Sequence, residues 1–429
     1  MPVPSKIESN KEALTKLCVL IIITTMITAA ILAHYIIYPM FFLNQVNPSI
    51  KIGVLGPLLT PAGRGMLEGV TLAIETINKR GGVLGRYLEV VPYDDAEAGI
   101  SKSEKGLAGY IKLSTEDKVS VIIGPYSSHV ALALLDLLPK YKTLIVTSGA
   151  IADEIDKKIA ENPTKYKYFF RTHMNATGEA IILWDYLTDI CKSLNITKIA
   201  IFYENLAWTQ GIIEYSKSKA QELGFNLVFL APIDPTTKSY ISELRTAKDK
   251  GAQLIYTLFS LADTTVLIKE WYEQKIPAFI TGGDMMAEDP TFWNTTAGKA
   301  YSYTIVHWGF RAPITNKTEE FYDDYLERFG HTPNFQSYLA YDAVMIWAQA
   351  AETTGKLDSD NVADTLLENI YEGVAGRYKF STTSHSVYVG KNWKTGIYVQ
   401  WQDNGEQVPI WSSEFLPPGK SIVLPPWMR

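Results

Sequence analysis

The chain has 429 residues, 47% of them hydrophobic, which is enough for about two domains of ordinary size. Charged residues make up 20% and the net charge is −6, which argues against a nucleic-acid binder with its basic surface. Two cysteines, Cys18 and Cys191, can build neither a disulfide framework nor a zinc site.

The first element in chain order is "LCVLIIITTMITAAILAHYIIYPMFFL", Leu17 to Leu43, which contains no Asp, Glu, Lys or Arg. A signal-peptide core needs only roughly 7–15 apolar residues, whereas a bilayer span needs roughly 20. The length therefore predicts a transmembrane anchor over 17–43 rather than a cleaved signal. Lys6, Lys11 and Lys16 precede it, so the positive-inside rule puts 1–16 in the cytoplasm and everything after the anchor outside the cell membrane. Cys18 opens the apolar run instead of ending it, which argues against a lipoprotein cleavage box. Four sequons agree with an extracytoplasmic location and make Asn175, Asn195, Asn294 and Asn316 glycosylation candidates, although the pattern is common by chance.

Residues 44–48 read as a linker, and strands and helices then alternate. "IKIGVLGPL" (Ile50 to Leu58) is strand-like, and "RGMLEGVTLAIETINKR" (Arg64 to Arg80) has helical apolar spacing. "YLEVVPYDD", "VSVIIG" and "TLIVTSGA" are further strands with helical stretches between them. The alternation restarts with "KIAIFYE" and continues through "NLVFLAPI", "AQLIYTLFS" and "AFITGGD". Two rounds of βα units predict two parallel sheets, hence an α/β chain with two lobes. Near the C-terminus "DNG" marks a hairpin, and "LPPGKSIVLPPWMR" reads as a tail.

The patterns of chemistry are missing. There is no G-x-x-x-x-G-K-[ST] phosphate loop, no G-x-G-x-x-G after the first strand and no G-x-S-x-G elbow. The six histidines show no metal-ligand spacing. The reading is of a protein that is not an enzyme and has no cofactor or metal. In open α/β sheets ligands sit beyond the carboxyl ends of strands. Those ends carry Tyr126-Ser127-Ser128, Ser148-Gly149-Ala150, Glu204, Phe259-Ser260 and Gly283-Asp284. A helix starting at Ser128 offers N–H groups to an anion, and Asp284 or the Gly149 carbonyl suits a cation. A zwitterion would fit, with its carboxylate on Ser128 and its ammonium on Asp284. On the residues alone, Ser128 as a simple helix cap and Asp284 as a helix start account for the same pattern.

The chain resembles the type I periplasmic-binding-fold solute-binding proteins of branched-chain amino-acid ABC transporters, the Leu/Ile/Val-binding type. The resemblance rests on "IKIGVLGPLLTPAG", "GVTLAIETINKRGGVLGRYLEVVPYDDA", "VIIGPYSSHVALAL", "LIVTSGA", "FFRT", "KIAIFYEN", "GGDMM" and "LAYDAV", in family order from Ile50 to about Trp411. It implies two Rossmann-like lobes joined by three crossovers, the first of 49–170 plus 301–372 and the second of 171–300 plus 373–429. It also implies a ligand trapped between the lobes by hinge closure. The family's carboxylate-binding serine falls on Ser128 and its ammonium-binding carbonyl on Gly149. Ile151 stands where a threonine is usual, so only its N–H is available. Trp208 stands where a tyrosine is usual in the second lobe, Ser260 takes the place of a later tyrosine beside Phe259, and the acid that meets the ammonium falls on Asp284. Tyr126, Ser127 and Arg64 are further ligand-binding candidates.

The expected function is that of a membrane-anchored extracytoplasmic substrate-binding protein. It would take a small solute, an amino acid first of all, and deliver it to an ABC permease and its ATPase. The alternatives are the ligand-sensing ectodomain of a receptor complex, or binding of an amide, a urea-like solute or a short peptide.

Overall fold

The computed structural model describes residues 6–37, 48–97, 99–390, 392–412 and 422–429. Two units separate, one up to Pro48 and the other from Ser49 onward. In the first, a helix runs over Lys6–Leu32 and continues into a π-helical turn at Ala33–Ile37. Its segment Leu14–Tyr35 is long and apolar enough to cross a membrane, and none of it is buried. The threonines inside it hide their polarity: Thr24, Thr25 and Thr28 donate to the carbonyls of Leu20, Ile21 and Thr24 one turn back. Residues 38–43 of the expected anchor and 44–47 of the linker lie outside the described residues.

The second unit begins with β1 (Ile50–Gly56), β2 (Leu88–Asp94), a small ribbon β3–β4 (Ala96–Glu97 with Ile100–Ser101), β5 (Val121–Ile123), β6 (Leu144–Thr147) and β7 (Phe169–Arg171). Five of these form a parallel sheet in the order β2-β1-β5-β6-β7. β5 and β6 are buried at every residue and β1 at all but Lys51, the pattern of parallel strands covered by helices on both faces. β8 (Lys198–Glu204), β9 (Asn226–Ile233), β10 (Leu254–Phe259), β11 (Phe279–Asp284) and β12 (Thr304–His307) follow. After a ribbon β13–β14 (Ile370–Glu372 with Arg377–Lys379) come β15 (Ile397–Trp401) and β16 (Gln407–Trp411). The second sheet runs β16-β15-β12-β11-β10-β8-β9, with β15 antiparallel to both of its neighbours, β12 and β16, and the other pairings parallel.

The chain therefore crosses between lobes at 172–175, 308–317 and 380–396, later than expected at the second and third passages. The sequence reading returned the chain to the first lobe at 301. Instead Thr304–His307 pairs with β11 and β15, so it is a second-lobe strand. The reading also sent 373 onward to the second lobe. Here Asp342, on the first-lobe helix Phe335–Thr354, accepts from Val374 N at 2.7 Å, Ala375 N at 2.9 Å and the Tyr378 hydroxyl at 2.6 Å. Those bonds tie β13–β14 to the first lobe.

One close helix crossing positions the cleft. The helix Pro61–Lys79 starts on Thr60, whose hydroxyl accepts from Gly63 N at 3.2 Å, with Pro61 in its first turn. A Cβ on Gly69 would lie 2.3 Å from the Ser337 carbonyl oxygen, so only glycine lets the helix Phe335–Thr354 approach this near. That approach carries Phe335 and Gln336 to the mouth of the first sheet.

Candidate ligand-binding cleft

Each sheet reverses its strand order once, between β1 and β5 in the first lobe and between β8 and β10 in the second. Strand ends splay at such points and leave room for a ligand. The turn after β5 and the ends of β10 and β11 face each other there around a cavity of about 80 Å³. The lobes touch across it: Phe335 N donates to Glu288 Oε2 at 2.9 Å, and Thr177 donates to Asp153 through its hydroxyl at 2.7 Å.

Tyr126, Ser127, Ser128, Gly149 and Ile151 line the cavity from the first lobe, and Trp208, Phe259, Ser260 and Asp284 from the second. Arg64 is not among the lining residues; it is exposed on the helix Pro61–Lys79, so its expected place at the ligand is corrected.

The turn into Ser127 depends on Gly124, where φ is +120° and a Cβ would lie 2.0 Å from the Leu55 carbonyl oxygen. Ser127 is the N-cap by position, yet its side chain makes no cap bond. His129 Nε2 lies 2.9 Å from the Ser101 carbonyl, which can only accept, so in the neutral ring Nδ1 accepts from the Ser127 hydroxyl at 2.8 Å. Ser128 does not cap its helix either. Its Oγ accepts from Ala152 N at 3.2 Å, which leaves its O–H to donate. The Ile151 N–H and the Gly149 carbonyl have no hydrogen-bond partner among the described residues.

Four acids surround the cleft. Glu204 is fully engaged by the Ser260 hydroxyl at 2.7 Å, Leu261 N at 2.6 Å and Ala262 N at 2.7 Å, so Ser260 points its proton away from any solute. Asp284 accepts from Thr264 Oγ1 at 2.9 Å, Met286 N at 3.1 Å, Ala287 N at 3.3 Å and the Tyr303 hydroxyl at 2.9 Å. Burial outweighs these donors and pushes its carboxyl up to about 6. Asp284 is thus a bracket for its own loop, not the open acid that the sequence suggested for an ammonium. Glu288 holds Phe335 N, and burial drives its carboxyl well above the usual range. Glu179 is 4% exposed, and its carboxyl has no hydrogen-bond or ion-pair partner among the described residues. Burial alone pushes it up to about 8.

The remaining wall is aromatic. Trp308 and Phe335 pack edge-on to His173 at 5.3 and 5.7 Å between ring centres. Burial holds His173 neutral, well below the ordinary imidazole value. His173 Nδ1 and the Trp208 indole nitrogen are buried without a partner among the described residues. No Lys or Arg is among the described lining residues.

Sequence reasoning missed Glu179, Glu288, His173, Trp308, Phe335 and Gln336. One of these was legible. In "ATGEAIILWDYL", Glu179 shares the spacing of Ile182, Leu183 and Tyr186, all buried, so an acid stands on the apolar stripe of a helix. His173 and Trp308 sit on crossovers, Glu288 in the turn after β11, and Phe335 and Gln336 on a helix late in the chain, where no local pattern points to them. Asn175 is also corrected. Its side chain accepts from Gly178 N at 2.8 Å as the half-buried N-cap of the helix Ala176–Ser193, so it is not a free glycan acceptor, whereas Asn195, Asn294 and Asn316 are exposed.

A sequence model described as periplasmic binding protein matches residues 49–404. A Brucella melitensis protein named Leu/Ile/Val-binding protein homolog 3 is 25% identical over 255 residues, 59% of this chain and 65% of that protein. The leucine-, isoleucine-, valine-, threonine- and alanine-binding protein of Pseudomonas aeruginosa is 22% identical over 370 residues, 86% of this chain and 94% of its own. Among solved structures, the branched-chain amino acid transporter substrate-binding protein of Streptococcus pneumoniae, in complex with isoleucine, superposes with a TM-score of 0.72. It is 23% identical, covering 84% of this chain and 97% of its own. A solute-binding protein of an R. palustris ABC transporter, in complex with benzoate, gives 0.71 at 17% identity over 84% and 95%.

Proposed function

The chain belongs to the periplasmic binding protein family, as a substrate-binding protein of the branched-chain amino-acid ABC-transporter type, and from that premise we propose its solute, its tether and its partner. The protein holds a small solute, an amino acid first of all, between its two lobes and hands it to an ABC permease driven by its ATPase. The apolar helix up to Tyr35 anchors it in the membrane with the lobes outside. The site grips without reacting.

One observation carries this reading: a cavity at the carboxyl ends of both sheets, with the lobes bonded across it. Its small volume suits a solute of few heavy atoms rather than a peptide. Among the described residues, the Ser128 O–H, the Ile151 N–H and the Gly149 carbonyl are left without a partner in the first lobe, and the Trp208 indole N–H and the Glu179 carboxyl in the second. Tyr126, Phe259 and Trp208 supply apolar walls for the solute's body. Closure traps the solute because solute binds the closed form better than the open one.

A thermal-shift screen of the full chain in detergent tests the class. A ligand of the folded state raises the midpoint by mass action. Shifts with leucine, isoleucine, valine or phenylalanine support an amino acid. A screen in which benzoate-type acids shift the midpoint and no amino acid does would replace it with an aromatic acid.

A further inference from the structure

Every buried acid near the cleft is held by donors except one. Glu204, Asp284, Glu288 and Asp342 each accept from backbone or hydroxyl groups of the protein. Glu179 accepts from none of the described residues, although it lines the cavity and is almost wholly buried. Burying an unpartnered carboxyl opposes folding, and natural interiors rarely keep one without a task. Space has also been left for it. Its Oε1 lies 4.0 Å from the point where a Cβ on Gly283 would begin, at the mouth of β11, so the missing side chain at 283 leaves the carboxyl open toward the cavity.

The groups that face Glu179 carry no compensating charge. Tyr126, Tyr256 and Tyr398 are near enough to feel its charge, and Tyr256 and Tyr398 bond each other at 3.0 Å. The other titratable lining groups are Asp284, Glu288 and the neutral His173. An anion at this place has only a solute to pair with. Its position in the first turn of the helix Ala176–Ser193 favours the ionised form once a cation arrives. Aromatic walls at Trp208, Phe259 and Trp308 suit a cation with an apolar body.

We propose that Glu179, on the second-lobe side of the cleft, is the carboxylate that pairs with an ammonium group of the solute, and that the protein selects amine-bearing solutes through it. The proposal rests on the solute-binding reading above and assigns to Glu179 the part that the sequence suggested for Asp284. Burial keeps Glu179 protonated in the empty cleft at neutral pH. Pairing with an ammonium ionises it, and the proton leaves to the solvent.

The test uses the full chain in detergent and isothermal calorimetry. The probes are L-isoleucine and L-phenylalanine, the matching amines 2-methylbutylamine and phenethylamine, and the matching acids 3-methylpentanoate and 3-phenylpropanoate. The expected result is binding of an amine-bearing probe over its amine-free acid, and affinity about 30-fold or more weaker in Glu179→Gln. Wild type should also release close to one proton per solute at neutral pH, read as different heats in phosphate and Tris buffers, and Glu179→Gln should release none. The amide is isosteric and loses no hydrogen bond, so its thermal midpoint reports whether the variant is folded. Binding that Glu179→Gln leaves intact while Asp284→Asn abolishes it overturns this assignment and spares the proposed function. Amine-free acids bound as tightly as their amino acids overturn it too. If no probe binds wild type, the proposed function fails and the assignment falls with it.

Discussion

The backbone N–H of Phe335 reaches across the cleft to Glu288 Oε2 at 2.9 Å, so an acid of the second lobe holds the first turn of a first-lobe helix. Both partners line the cavity. This bond exists only when the lobes are together. Glu288→Ala leaves the N–H without an acceptor, a loss of about 1–3 kcal/mol. Apparent solute affinity should fall by roughly 5- to 100-fold through a shift toward the open form. Glu288→Gln keeps an acceptor oxygen and should bind as wild type does. Small-angle scattering of Glu288→Ala without solute should show a larger radius of gyration than wild type; identical curves and affinities for all three proteins count against the latch.

Ser128 accepts from Ala152 N and keeps its own proton to give. Ser128→Ala removes one donor from the cavity, worth about 1 kcal/mol or roughly five-fold in affinity for a carboxylate-bearing solute. Affinity for phenethylamine, which has no carboxylate, should not change. An equal loss for phenylalanine and phenethylamine would mean that Ser128 shapes the turn instead of touching the solute.

Asp284 should matter for folding. Asp284→Ala strands the Thr264 and Tyr303 hydroxyls and the N–H groups of Met286 and Ala287. Unfolding in urea should show a loss upward of about 3 kcal/mol. A variant as stable as wild type would show that these bonds do not support the loop.

Glu179 also sets a pH dependence of stability. Its carboxyl ionises at an ordinary value of 4.5 when unfolded and at about 8 when folded. Between those values the folded state keeps a proton that the unfolded state has lost. Its contribution to stability therefore falls as pH rises through that window and is level on either side. Glu179→Gln should be more stable than wild type at about pH 8 and close to it at about pH 4. Urea titrations across the range measure the difference, and parallel curves for the two proteins would show that Glu179 is solvated.

Gly69→Ala tests the helix crossing. The added methyl would meet the Ser337 carbonyl oxygen at 2.3 Å, and forcing the two helices apart costs about 1–3 kcal/mol. Phe335 and Gln336 move with their helix, so solute affinity should fall together with the thermal midpoint. A stable variant with unchanged affinity would mean that the crossing has slack.

The α/β class and the two lobes were readable in "IKIGVLG", "VSVIIG" and "KIAIFYE", because a strand buried on both faces needs apolar residues at nearly every position. The position of Ser128 after its strand was readable for the same local reason. The second crossing of the chain was misplaced by a few residues, since "TIVH" at Thr304–His307 is as apolar as any strand and nothing local says which sheet it joins. Pairing with β11 and β15 decides that.

The acids divide in the same way. Sequence alone put Asp284 at a strand end with a cation-binding look, and passed over Glu179. Which of them is open was decided by the fold. Two amides of the loop after β11 and the hydroxyls of Thr264 and Tyr303 surround Asp284, while Gly283 and the lobe contact leave Glu179 buried and alone. A residue's type and the strand or helix that carries it are set by neighbours along the chain. Whether its charge is satisfied depends on groups brought from distant segments, and only the packed lobes supply them.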